Sequence, residues 1–157
     1  MSLKIEISRN QGDVILSLEG ILDENCMLPE FSEPIEGRLF VDLAKLTMIN
    51  SMGVRKWVEW MRLRKDIPQG VHLVRCSPVV INQVNILNGF LPSYARVVSF
   101  YIPYYCPDCG HEESVLIEVG AAALDSLGAK PCAMCGSVME MDVVQDIYFK
   151  FLNKKAA

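Results

Sequence analysis

Four of the six cysteines stand in two matching pairs. Cys106 and Cys109 form one, Cys132 and Cys135 the other, each pair reads C-x-x-C-G, and 22 residues separate them. Two intervening residues bring both sulfurs of a pair to one side of a tight turn. Gly110 and Gly136 tolerate the positive φ that lets the backbone wrap close to those sulfurs. Two such hooks facing each other present four thiolates in a tetrahedron, a donor set that suits Zn²⁺. Four protein ligands close the coordination sphere, so the expected site is structural, with no position open to water and His111 left as a spare. Iron is the weaker alternative and a disulfide the weakest, since this spacing in a chain without secretory features points to metal. Cys26 and Cys76 read as small core residues rather than ligands.

The stretches "ESVLIEV" and "SVMEMD" read as strands, each leaving one hook. The whole resembles a zinc ribbon, and "CPDCG" also resembles a rubredoxin knuckle, which is the basis for iron. A unit this small cannot bury a large core, so metal should supply much of its folding energy. Ribbons often touch nucleic acid, and a nucleic-acid-associated ribbon protein is one alternative reading. Charge argues against it. Residues 101–157 hold 4 Lys against 8 Asp and Glu, and a Zn²⁺ with four thiolates adds about −2, so phosphates should be repelled. No nucleic-acid partner is expected.

The second place where chemistry is conceivable is the hydroxyl in "MINSMGVRKW", residues 48–57. Either Asn50 or Ser51 caps a helix by accepting a backbone N–H, or Ser51 is reactive or modified. A catalytic serine needs a base within hydrogen-bond reach. The two histidines are His72, expected mid-strand, and His111, beside the cysteines. The capping role is preferred and no enzymatic activity is expected. Projected at about 100° per residue, the following helix turns Val54, Trp57, Val58 and Met61 to the core. Met52, Lys56, Trp60 and Leu63 fall away from that stripe. Met52, Trp60 and Leu63 would then form an apolar patch set among charges, the kind of surface that marks a protein partner site. The competing reading packs Trp60 under a neighbouring loop or under the second unit.

The elements that carry these residues follow from periodicity. "LKIEISR" alternates and reads as a strand, the turn "NQGD" leads to a second strand "VILSLEGIL", and the two should pair as a hairpin. "CMLPEFSEPIEG" carries two prolines, so any helix there is short and irregular. "RLFVDLAKL" reads as a buried strand, residues 51–65 as a helix and "GVHLVRC" as a strand. "SPVVINQVNILNG" reads as a helix with Pro just inside its start and Gly just past its end. "ARVVSFYI" is a further strand. This order implies an α/β fold, a mixed sheet backed by helices. Val144, Ile147, Tyr148, Phe151 and Leu152 lie at helical spacing in residues 143–153 and need cover. That last helix should return to the first unit, the alternatives being that it covers the ribbon or pairs with a second copy in a homodimer.

Residues 1–100 resemble the STAS domain, the fold of bacterial anti-sigma factor antagonists and of sulphate-transporter tails. The likeness rests on "LFVDLAKLTMINSMGVRKWVEWMRLR", then "GVHLVRCSPVVINQVNILNG", then a strand. In phosphorylated members, the hydroxyl residue just before the turn glycine accepts phosphate from a partner kinase. Here that position is Met52, and Asn50 stands where the family has Asp, so the switch chemistry does not carry over to this turn. In the family, the turn and the helix after it meet the partner. The resemblance thus implies a partner-facing set of Asn50, Ser51, Met52, Gly53, Lys56, Trp60 and Leu63, and an anti-sigma factor or kinase-like regulator as partner. An accessory subunit of a transporter is an alternative within the same class.

The chain's 157 residues suit a unit over 1–100 and a small ribbon with its terminal helix over 101–157. Residues 1–100 are neutral, with 11 basic and 11 acidic side chains, so the ribbon half carries the whole net charge of −4. No apolar run reaches the roughly 18 residues that a membrane helix needs, and "MSLKIEISRNQGD" lacks the apolar centre of a signal peptide. The expectation is a cytoplasmic regulatory protein in bacterial signalling, without membrane insertion.

Overall fold

The structure, a computed structural model, describes residues 2–120 and 130–153. The first alternating stretch is β1 (Lys4–Asn10), which turns through Gln11 and Gly12 into the antiparallel β2 (Asp13–Leu22). Then β3 (Leu39–Ile49), β4 (Val71–Val74) and β5 (Ala95–Val97) add in parallel, giving one five-stranded mixed sheet in the order β1-β2-β3-β4-β5. Parallel neighbours need crossovers. α1 (Ser51–Arg62) and α2 (Pro78–Ile86) supply two of them, and the irregular segment between β2 and β3 supplies the third.

Strand alternation separates the two faces of this sheet. Val14, Leu16 and Leu18 of β2 and Leu39, Val41 and Leu43 of β3 are buried, while the residues between them are only partly so. Trp57 and Met61 of α1 and Val80, Ile81 and Val84 of α2 join the same core. Each fully buried aliphatic side chain contributes about 1.5–3 kcal/mol. The opposite face carries polar residues, with Asp13 paired to Arg38 at 2.9 Å and Asp42 paired to Arg75. No helix among the described residues is long and apolar enough to cross a membrane.

A second sheet holds β6 (Ser99–Tyr105), β7 (Glu112–Glu118), β8 (Lys130–Pro131) and β9 (Val138–Met141), antiparallel throughout, in the order β7-β6-β9-β8. The run "ARVVSFYI", expected as one strand, divides at Val98. The Val98 N–H donates to Leu73 O at 2.8 Å in the first sheet, and its carbonyl accepts from Val119 N at 2.9 Å beside the second. One apolar run is therefore shared between two sheets, a division that hydrophobicity alone cannot mark because both halves are buried. Cys76 continues the contact as a parallel bridge to Phe100. The boundary expected near Tyr101 lies inside β6.

The C-terminal segment also differs from its projection. It is a single α-helical turn, α3 (Gln145–Tyr148), followed by a 3₁₀ turn at Phe149–Asn153. Across the junction of the two turns, Tyr148 and Phe151 are buried, while Val144 and Ile147 are exposed. The Phe151 ring meets Phe100 edge-on at 5.0 Å, Tyr148 Oη donates to Tyr101 O, and Asn85 Nδ2 of α2 donates to Tyr148 O at 2.9 Å. The segment thus returns to the first unit, through α2, as expected.

Candidate functional site

The hook sequences lie at the two tight turns of the second sheet, between β6 and β7 and between β8 and β9. Their backbones follow the same plan. Cys106 N donates to His111 O at 2.8 Å and Gly110 N to Cys106 O at 2.8 Å. Cys132 N donates to Ser137 O at 2.7 Å and Gly136 N to Cys132 O at 2.9 Å. Gly110 has φ +78° and Gly136 φ +79°, and a Cβ on either would meet nothing within 4 Å. Glycine is required there by backbone conformation and not by crowding.

The two turns bring all four sulfurs of Cys106, Cys109, Cys132 and Cys135 within 4.8 Å of one another. Cys106 Sγ lies 3.5 Å from Cys135 Sγ, and Cys109 Sγ 3.7 Å from Cys132 Sγ. A tetrahedron with metal–sulfur bonds of about 2.3 Å has sulfur–sulfur edges of about 3.8 Å. These separations fit a four-thiolate metal ion, and they are far longer than a bond of about 2.05 Å between sulfurs. The four cysteines are positioned to hold a metal ion. His111 stands outside this group, with Nε2 3.5 Å from Glu113 Oε1. Hydrogen bonds from the Ser137 backbone and side chain, the largest influences, lower the Cys135 thiol to about 6, whereas Cys109, against a lowering hydrogen bond with the His111 backbone, is pushed up to about 12 by desolvation and by the other three sulfurs.

The turn at residues 50–53 is built by different means. Asn50, not Ser51, is the cap. Its Oδ1 accepts from Gly53 N at 2.8 Å, and its N–H donates to Leu22 O at 3.0 Å. Asn50 Nδ2 donates to Glu24 Oε2 at 2.9 Å, and this hydrogen bond holds the Glu24 carboxyl below the usual glutamate range. Gly53 sits where α1 crosses the end of β2. A Cβ there would lie 2.0 Å from Leu22 O, so any larger residue forces the backbone to shift. Ser51 is exposed at the first helical position. His72 lies on β4, bonded to Gln69 O and to Arg96 Nε.

The expected patch on α1 is corrected in part. Met52 and Leu63 are exposed, at 44% and 66%, but Trp60 is buried at 4%. Its Nε1 donates to Pro29 O at 2.8 Å, and its ring lies among Trp57, Phe31 and the Arg64 guanidinium. Trp60 therefore fastens the segment between β2 and β3 to the helix, giving α1 a second covered side. Lys56 serves the same end, its Nζ donating to Glu24 O at 2.6 Å and to Cys26 O at 2.8 Å. Two other apolar residues are exposed near the turn: Met48 at 54%, two positions before Asn50, and Met27 at 82%, next to the carbonyl that Lys56 holds. Neither lies in a periodic stretch that marks it, and only the flanking of the capping residue by methionines at 48 and 52 is visible in the sequence.

Comparison with protein-family models and with curated proteins finds no match for this chain.

Proposed function

We propose that this chain is a non-enzymatic regulatory module that binds a protein partner through the turn at Asn50–Gly53 and the start of α1, beside a structural zinc site. The support for docking is the exposed set of Met27, Met48 and Met52 near a rigidly capped turn. Methionine side chains are flexible and polarizable and suit protein-binding surfaces. The order β3–turn–α1–β4–α2–β5 is the order that the resemblance to the STAS domain implies, and it favours an anti-sigma factor or kinase-like regulator as the partner. With a thioether at position 52, that binding is constitutive or controlled by other means than phosphate on that residue. For the ion, the four-sulfur geometry suits zinc and iron alike, and zinc is the proposed occupant.

Capture from the native host, with the intact chain as bait, tests the docking surface. A specific partner should be retained by the parent protein and by Ile86→Glu on the far helix α2, and lost with Met52→Glu. Equal retention by all three defeats the proposal, as does stoichiometric phosphate on Ser51. Metal analysis with a visible spectrum tests the ion, since a red chromophore in native-source protein would replace zinc by iron.

A further inference from the structure

The four cysteines alternate in exposure. Cys106 and Cys132, the first of each pair, are buried, at 1% and 4%, and Cys109 and Cys135, the second, are exposed. Each exposed sulfur has a close buried neighbour in the opposite hook, Cys135 with Cys106 at 3.5 Å and Cys109 with Cys132 at 3.7 Å. The hooks are held in shape by their own backbone hydrogen bonds. Closing these two separations would join one hook to the other.

Resting on the zinc reading above, we infer that the centre responds to hydroperoxides. Oxidation exchanges the metal for two disulfides, Cys106–Cys135 and Cys109–Cys132, that keep the hooks joined. The exposed thiolate of Cys109 or Cys135 attacks one peroxide oxygen. The O–O bond breaks, a sulfenic acid forms, and the leaving hydroxide takes a proton from solvent to become water. The buried thiolate opposite then attacks that sulfur. The S–S bond forms and the second hydroxide leaves, again protonated to water. Each bridge removes two electrons from two sulfurs and reduces one peroxide. Four thiolates thus require about two peroxides. A disulfide sulfur is no longer the thiolate ligand that zinc needs, so the ion departs. Both bridges span the hooks, so the ribbon remains clasped after the metal has gone.

The test uses the full chain with its metal content measured first. Hydrogen peroxide is added in steps while a chromophoric chelator reports metal release and thiol titration reports free cysteine. Non-reducing peptide mapping, with cleavage before Asp108 and fragmentation between Cys132 and Cys135, then identifies the bridges. The expected result is metal release in step with loss of four thiols, bridges Cys106–Cys135 and Cys109–Cys132, and reversal by dithiol with added zinc. Cys26 and Cys76 should stay reduced, both being buried and the Cys76 thiol pushed well up by burial. Bridges within a pair, sulfinic acid at Cys109 and Cys135 without bridges, or unchanged thiols at peroxide excess would each overturn the inference. A chain that carries no metal before oxidation defeats the zinc reading alone, and mapping on that reduced chain still decides the pairing.

Discussion

The two sheets of this molecule are held by different forces. The five-stranded sheet rests on a continuous apolar layer, with Leu16, Leu43 and Leu73 of its strands and Trp57 of α1 fully buried. Among the described residues, the hook end of the second sheet has no such layer. Beyond Tyr104, its strands are short, with exposed Val138 and Met134, and its buried side chains there are Met139 and the sulfur-bearing Cys106 and Cys132. Where apolar area is scarce, a metal ion can substitute for it, because ligand binding is then folding energy. The apolar core runs past Tyr101. The lower part of the second sheet, with Phe100, Ile102, Ile117 and the C-terminal Tyr148 and Phe151, belongs to the apolar core.

Removing the metal is the strongest way to break this contrast. Cys132→Ser, or a strong chelator, should cost most of the roughly 10–16 kcal/mol typical of structural zinc binding. Hydrogen exchange should rise sharply over residues 106–111 and 130–137 while the core around Trp57 stays protected. Loss of protection in β2 and β3 as well would show that the two regions are one cooperative unit. Next in size is Phe100→Ala, which removes the ring that α2, β6 and the C-terminal turn share. Denaturant unfolding should show a loss of about 3–5 kcal/mol, much more than an exposed hook residue such as Met134→Ala would give. Gly53→Ala should cost about 1–3 kcal/mol as α1 is pushed off Leu22, read as a lowered denaturation midpoint. Asn50→Ala, which removes the helix cap and the bond to Glu24, should cost about 1 kcal/mol. Smallest is Met52→Ser, an exposed change that should stay within about 0.5 kcal/mol. A large loss there would mean that position 52 supports the fold rather than a surface.

The four-cysteine cluster was legible because its information is local: two residues between sulfurs and a glycine after them determine each hook, and only their approach needs the fold. Most strands and both long helices were legible from alternation, from helical spacing and from the Pro that opens α2, while α2 ends at Ile86, short of the expected Gly89. Trp60 was not. Its cover is the proline-bearing segment from Cys26 to Gly37, which has no period and so leaves no mark on a helical projection. The division at Val98 was hidden for the opposite reason, since an apolar run says that residues are buried and not in which sheet. At the C-terminus the choice of 3₁₀ over α winding depends on where Phe100 stands, a partner some fifty positions earlier in the chain.

Val98 has a mechanical consequence. A residue whose amide is tied to one sheet and whose carbonyl is tied beside the other acts as a weld and not as a pivot. With the Cys76–Phe100 bridge next to it, a force on the thiol-bearing tip would pass through these backbone bonds into β4, the strand that leads into α2.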